Sequence, residues 1–494
     1  MIVYRVLRAF GRLALRWFYR DVEVVGLESL PNTGPVLLAS NHPNALVDAL
    51  VIGCTLQRPV TLTAKATLLE NPFTRALVRV VGIVPLRRAS DERVKLESDA
   101  KNGIAPDPSR NERAFSSVLD VLQHGGVVLL FPEGKSHSEP TLAPLKTGLA
   151  RIALMARDTR GIAPLPIVPV GLTFERKWEP RSRVVMYVGA PIIAGDETPN
   201  DAGGVSRLTE HIESGLRQVT LNFDSDDEAH RVLSMASVLA HILDDFRPLH
   251  EPDPPFASNV RVAQRLDAIA AHLPQADPHV ASRVDRFAAR LTAFGTELRA
   301  HGSWANDVQM STAVAPGLWF VLRELVIAVV TGPLALWGHV NHWIPLRLAT
   351  SVASRTSRTP DEPAMRTIVA GFILVLAFYA IQTTVVTSIA GWAVGLFYAA
   401  SLPLSASWDL RYADRRRRAI ARVRTYLQLR RDPALRERLA GEVAWLRTEA
   451  LSLNELLERD LDAVAEKHPH VVSSSEVPRY APAGVDSGAS RGGR

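Results

Sequence analysis

From residue 367 to residue 408 the chain carries no Asp, Glu, Lys or Arg. One membrane crossing takes about 20 apolar residues, so this run is long enough for two. Backbone amides inside a bilayer have no water to bond, which leaves helices as the expected conformation. Arg347, Arg355, Arg358 and Arg366 precede the run, and Arg411 with Arg415 to Arg418 follow it. Basic flanks on both sides place both ends in the cytoplasm and predict a transmembrane hairpin over 366–408, turning between Thr383 and Gly391. An earlier uncharged run, Leu325–Leu346, contains Gly332-Pro333 and the polar His339, Asn341 and His342. The Gly-Pro pair predicts a break, and 316–346 is expected to be membrane-embedded or re-entrant.

The N-terminal residues 1–20 place Arg5, Arg8, Arg12, Arg16 and Arg20 at spacings of three or four, opposite Val3, Val6, Leu7, Phe10 and Trp17. That pattern predicts an amphipathic helix lying in a membrane interface, with packing on its own domain as the alternative. It lacks the uninterrupted apolar centre of a signal peptide. Residues 21–222 alternate short apolar runs with helical periods. The runs are Val22–Val25, Val36–Ser40, Val60–Ala64, Ile83–Leu86, Val127–Phe131, Ile167–Leu172 and Val184–Val188, and helices are expected over Arg113–Gln123 and Thr147–Arg157. The expected fold class is α/β, a mixed sheet flanked by helices, followed by a helical region and C-terminal transmembrane helices. Ala89–Arg110 reads as an exposed loop, 225–303 as a helical insert and 410–467 as a charged helical region. The Ser/Gly/Pro-rich tail 468–494 is expected to be disordered.

The net charge of +6 is modest for 494 residues, yet almost all of the 57 basic residues are arginine. Arginine grips planar anions through paired hydrogen bonds, which favours phosphate and anionic lipid as partners; no nucleic-acid partner is expected. Cys54 is the only cysteine, so no intramolecular disulfide or cysteine metal site can form. Gly134-Lys135-Ser136 imitates the end of a P-loop, but Leu129 stands where its first glycine belongs. No Gly-x-Ser-x-Gly elbow, His-Glu-x-x-His helix or dinucleotide fingerprint occurs, and no metal is expected.

The chemistry concentrates in Ser40-Asn41-His42-Pro43-Asn44-Ala45-Leu46-Val47-Asp48, which leaves a predicted strand and enters a predicted helix. Pro43 keeps His42 out of the helix, and Asn44 is the expected N-cap, with Asp48 at the end of the first turn. A neutral imidazole takes a hydroxyl proton near pH 7, and a carboxylate beside it fixes its tautomer. Three further blocks end predicted strands. They are Gly82-Ile83-Val84-Pro85-Leu86-Arg87-Arg88, then Phe131-Pro132-Glu133-Gly134 with Leu145-Lys146-Thr147-Gly148 after it, then Ile167-Val168-Pro169-Val170-Gly171. If their strands are neighbours, a base, two arginines, a carboxylate and a glycine turn share one rim, which suits a phosphate-bearing alcohol attacking an acyl carbonyl.

These four blocks, in this order, resemble the glycerophospholipid acyltransferases, a family that includes lysophosphatidic acid and glycerol-3-phosphate acyltransferases. The resemblance covers roughly residues 20–220. It implies His42 as general base and Asp48 as its orienting partner. It also implies Arg87 as a phosphate ligand, a role Arg88 could share, and Glu133 with Gly134 in the acceptor site; Lys146 joins them as a substrate-binding candidate. It further implies no cofactor or metal, acyl-CoA or acyl carrier protein as donor, and a phosphorylated glycerol acceptor, 1-acyl-glycerol-3-phosphate first and glycerol-3-phosphate as the alternative. The expected location is a bacterial inner membrane, with the catalytic domain on its cytoplasmic face. One departure stands out: five residues, not the family's four, separate His42 from Asp48. An extra residue on a helix turns the carboxylate by about 100°, unless a loop absorbs it. The longer spacing resembles that of fungal-type glycerol-3-phosphate acyltransferases. The alternative from another class is a non-catalytic, lipid-binding membrane scaffold that keeps the fold.

Overall fold

Val36–Ser40 (β2) is buried at every position, as an unbroken apolar run must be when a sheet is covered on both faces. The molecule, seen in a computed structural model, is described over residues 2–65, 75, 82–86, 109–195, 202–243, 255–273, 277–357 and 363–467. Strands β1 (Asp21–Val25), β3 (Val60–Lys65), β4 (Val84–Leu86), β5 (Val127–Leu130), β6 (Pro166–Phe174), β7 (Arg183–Val188) and β8 (Ile192–Ile193) join β2 in one sheet. The order is β1-β7-β6-β2-β5-β3-β4, with β8 paired to β6. Parallel pairing holds throughout except where β7 and β8 run antiparallel to β6. This is the mixed α/β sheet expected from the alternating pattern.

Register matters for the site. Ala39 of β2 lies opposite Leu130 of β5, and Ser40 lies opposite Val170 of β6. His42 and Glu133 therefore both stand three residues past a matched pair, and the two chains leave the sheet side by side.

The helices α1 (Ile2–Phe18), α2 (Leu46–Thr55), α3 (Ser109–Gln123), α4 (Gly148–Arg160) and α5 (Ala202–Val219) belong with this sheet to one compact unit, residues 1–225 with 342–399. α1 packs on α2 through a close approach at Gly11, where an added Cβ would meet Cys54 Sγ at 2.7 Å. Arg12 Nε donates to the Cys54 carbonyl at 2.8 Å and Arg8 Nη1 to that of Gln57 at 3.2 Å, so part of the arginine stripe caps α2. Leu15, Phe18 and Tyr19 enter the same apolar core as Val51, Ile52 and the inner residues of β2.

The second compact unit comprises 226–341 with 400–494. Its helices include α6 (Asp226–Leu243), α7 (Phe256–His272) and α8 (Pro278–His301). Further along the chain run α9 (Val314–Thr356), α10 (Pro363–Ala390), α11 (Trp392–Arg431) and α12 (Pro433–Lys467). α8 is tied to α12 by an Arg290–Glu442 ion pair, by the Arg290 guanidinium 3.7 Å from the Trp445 ring centre, and by Arg283–Glu449 at 2.9 Å.

α9 and α10 are long and apolar enough to cross a membrane. The break expected at Gly332-Pro333 does not occur: α9 is one helix from Val314 to Thr356. An interior proline removes its own N–H and crowds the carbonyl four residues back, and helices in an apolar setting absorb both by local adjustment. Between α10 and α11 the helix is interrupted at Gly391, whose φ of 87° suits glycine. The expected loop Ala89–Arg110 lies largely, and the tail 468–494 wholly, outside the described residues.

Candidate active site

β2 ends at Ser40, but the Asn41 side chain continues its pairing. Nδ2 donates to the Leu172 carbonyl at 3.0 Å, and Oδ1 accepts the Leu172 N–H at 2.8 Å. His42 is thus fixed one residue past an anchored point. The Val47 N–H closes a turn on the Asn44 carbonyl at 3.0 Å, with Ala45 at φ 47° and ψ −129°. These angles match the first central position of a type II′ turn, where glycine is the usual residue. Ala45, not Asn44, is the N-cap of α2. The Asn44 side chain points elsewhere, donating to the Lys177 carbonyl at 2.9 Å and the Tyr19 hydroxyl at 3.3 Å.

The loop 43–45 absorbs the extra residue. Asp48 Oδ2 lies 2.9 Å from His42 Nδ1 and also accepts the Asn44 N–H at 2.8 Å. Asp48 is 0% exposed, and among the described residues its buried Oδ1 has no hydrogen-bond partner. Burial lifts the Asp48 carboxyl above its ordinary range, while the hydrogen bond and charge of His42, the Asn44 amide and the Lys177 charge pull it down. The His42 ring stacks on Phe131, centroids 3.8 Å apart and planes 13° from parallel. Among the described residues nothing hydrogen-bonds His42 Nε2. A ring clamped at Nδ1 and on one face, with the other nitrogen open, can accept a proton in one direction.

The Phe131–Gly134 turn closes with the Gly134 N–H on the Phe131 carbonyl at 3.0 Å, and Gly134 has φ 76°. It sends Glu133 inward. Glu133 Oε1 accepts the His42 N–H at 2.8 Å, and Oε2 accepts the Ala143 N–H at 3.1 Å and pairs with His137 Nε2. At 2% exposure with both oxygens engaged by the protein, Glu133 supports the His42 loop from below. Gly134 is half-buried beside the exposed Lys146, whose Cγ would lie 3.4 Å from an added Cβ.

Arg87 and Arg88 lie outside the described residues. Their strand, β4, ends at Leu86 on the edge of the sheet, three strand spacings from β2. At ~4.8 Å per spacing, that edge is about 14 Å from the histidine's strand. Among the described residues no three His, Cys, Asp or Glu side chains are grouped to hold a metal ion.

Sequence reasoning missed Asn41, Asn44, Tyr19, Phe131, His137 and Lys177 as members of this network. Asn41 and Asn44 flank His-Pro directly, and their polarity beside a strand end is a usable signal. Tyr19 and Lys177 arrive from far along the chain, and no local pattern marks them.

Residues 21–173 match the family model described as Acyltransferase. Glycerol-3-phosphate O-acyltransferase 2 of Saccharomyces cerevisiae is 33% identical over 145 residues, covering 28% of this chain and 19% of that protein. The chloroplastic 1-acyl-sn-glycerol-3-phosphate acyltransferase LPAT1 of Arabidopsis thaliana is 23% identical, covering 34% of this chain and 40% of that protein. The chain thus spans well under two thirds of either relative. Among solved structures, the 1-acyl-sn-glycerophosphate acyltransferase PlsC of Thermotoga maritima matches at 19% identity and a TM-score of 0.31, over 44% of this chain and 78% of that one. Residues 21–173 thus carry an acyltransferase domain similar to the matched parts of glycerol-3-phosphate and 1-acyl-sn-glycerol-3-phosphate acyltransferases.

Proposed function

We propose that this protein is a membrane-bound O-acyltransferase that moves a fatty acyl group from a thioester, acyl-CoA or acyl carrier protein, to the hydroxyl of a glycerol phosphate in phospholipid synthesis. The observation that carries this reading is the His42–Asp48 contact with Nε2 of His42 left open at the end of β2. The acceptor hydroxyl gives its proton to Nε2 as its oxygen bonds to the thioester carbonyl carbon. Asp48 holds the Nδ1 proton and balances the imidazolium charge. As the tetrahedral adduct collapses, the carbon–sulfur bond breaks and the imidazolium returns its proton to the departing thiolate. No acyl-enzyme is required. Arg87 with Arg88 and Lys146 are assigned to the acceptor phosphate, at the far end of the acceptor from its reacting hydroxyl.

The two Saccharomyces cerevisiae glycerol-3-phosphate O-acyltransferases are 33% and 34% identical over their matched regions. The 1-acyl-sn-glycerol-3-phosphate acyltransferases match at 23% to 25%. That difference favours glycerol-3-phosphate as acceptor, with 1-acyl-glycerol-3-phosphate as the second reading. Membrane attachment is supported by apolar side chains on α9 and α10 that face outward, such as Val330 at 72% and Ile389 at 80% exposure, since soluble surfaces rarely present such a run. Basic flanks favour a cytoplasmic side for the catalytic domain, and a bacterial inner membrane is the location we assign. The test is to supply full-length protein in membranes with labelled acyl-CoA and either glycerol-3-phosphate, 1-acyl-glycerol-3-phosphate or unphosphorylated glycerol. Product with glycerol-3-phosphate is expected; product with 1-acyl-glycerol-3-phosphate alone selects the second reading, and none with either phosphate rejects the class.

A further inference from the structure

We propose that His137 is a positioning residue for the His42 base, acting through Glu133 and through its own backbone. This rests on the acyl-transfer reading. His42 is held through both of its backbone polar groups by one short segment: its N–H donates to Glu133 Oε1 at 2.8 Å, and its carbonyl accepts the His137 N–H at 3.2 Å. The His137 ring closes the arrangement by pairing Nε2 with Glu133 Oε2, which otherwise has only the Ala143 N–H.

Among the described residues Nδ1 of His137 is buried without a hydrogen-bond partner, so the ring's polar hold on its surroundings is the Nε2–Glu133 contact. Glu133 thereby gathers the His42 N–H, the Ala143 N–H and the His137 ring on one carboxylate. Removing the imidazole frees the carboxylate to turn, and the His42 N–H loses a partner whose direction the ring had set. A catalytic group displaced by about 1 Å can lose about 10²-fold in rate.

The test uses full-length protein in membranes carrying His137→Ala or His137→Gln. Glutamine presents an amide N–H at the same reach as Nε2 and cannot titrate. The expected result for His137→Ala is a kcat lowered about 10- to 100-fold, with KM for donor and acceptor within about threefold of wild type; His137→Gln should recover most of the rate. Amide exchange over residues 40–46 should quicken at least about tenfold in His137→Ala, stay near wild type in His137→Gln, and remain unchanged along β5. Unaltered kcat in His137→Ala, equal impairment in both variants, or unaltered exchange over 40–46 would each overturn the proposal. If wild-type protein shows no turnover, the acyl-transfer reading fails alone, and the exchange experiment still decides the role of His137.

Discussion

Asp48 Oδ2 reaches His42 Nδ1 at 2.9 Å across residues 43–47 because the chain turns at Ala45 before the helix starts, so the carboxylate is delivered by the first turn of α2 and not by a longer helical offset. The contact is buried at its acidic end and open at its basic end, an asymmetry that separates activity from stability in the variants below.

Asp48→Asn is expected to lower kcat about 10²-fold or more, because an amide can hold the ring but cannot stabilise its charged form. Stability should move the other way. Burial raises the Asp48 carboxyl above the ordinary carboxylate value, near 3.9 in unfolded chains. A group raised on folding contributes fully while protonated, below that unfolded value, and its contribution is lost as pH rises through the folded value. The Asp48→Asn protein should therefore have a higher Tm than wild type at neutral pH, and the gap should close as pH falls toward about 4. Thermal unfolding across that range checks the sign.

Ala45→Gly relieves a backbone conformation that costs a side chain about 1–3 kcal/mol, against the ~0.5–1 kcal/mol that glycine loses in chain entropy. With φ at 47°, the net expectation is a small gain in stability. Activity should stay within a few-fold of wild type as long as the Asn44–Val47 turn bond persists. A β-branched residue, Ala45→Val, should lower both. Paired melting and rate measurements distinguish these outcomes.

Glu133→Ala leaves the N–H groups of His42 and Ala143 without their carboxylate. An orphaned buried donor costs ~1–3 kcal/mol, so destabilisation of a few kcal/mol is expected, together with a loss in kcat. Because Glu133 is interior, the acceptor KM should hardly change. A large rise in acceptor KM at constant kcat would instead return Glu133 to the substrate.

Much of the architecture was legible because burial on both faces writes itself as unbroken apolar runs: Val36–Ser40 and Val127–Phe131 read as strands, the second ending one residue earlier at Leu130 in the structure, and their parallel neighbours follow from helices between them. The site was legible as a set of residues but less so as an arrangement. Glu133 reads as a ligand from its place beside a glycine turn, yet the sense of that turn, set by Gly134 at positive φ, drives it under the histidine loop. The His42–Asp48 distance hinges on one unusual φ at Ala45, which no periodicity encodes. Tyr19, Asn44 and Lys177 meet only after β2 and β6 have paired, so their contact is a tertiary fact. In α9 the Gly332-Pro333 pair carries a local preference for a break that the rest of an apolar helix overrides.

The most direct test of the central claim is turnover of labelled acyl-CoA by full-length protein in membranes with glycerol-3-phosphate, compared with the His42→Ala protein under the same conditions. A positioned base is worth ~10²–10⁴-fold, and the account predicts a fall of that size with the variant still folded. Equal turnover by the two proteins would contradict it.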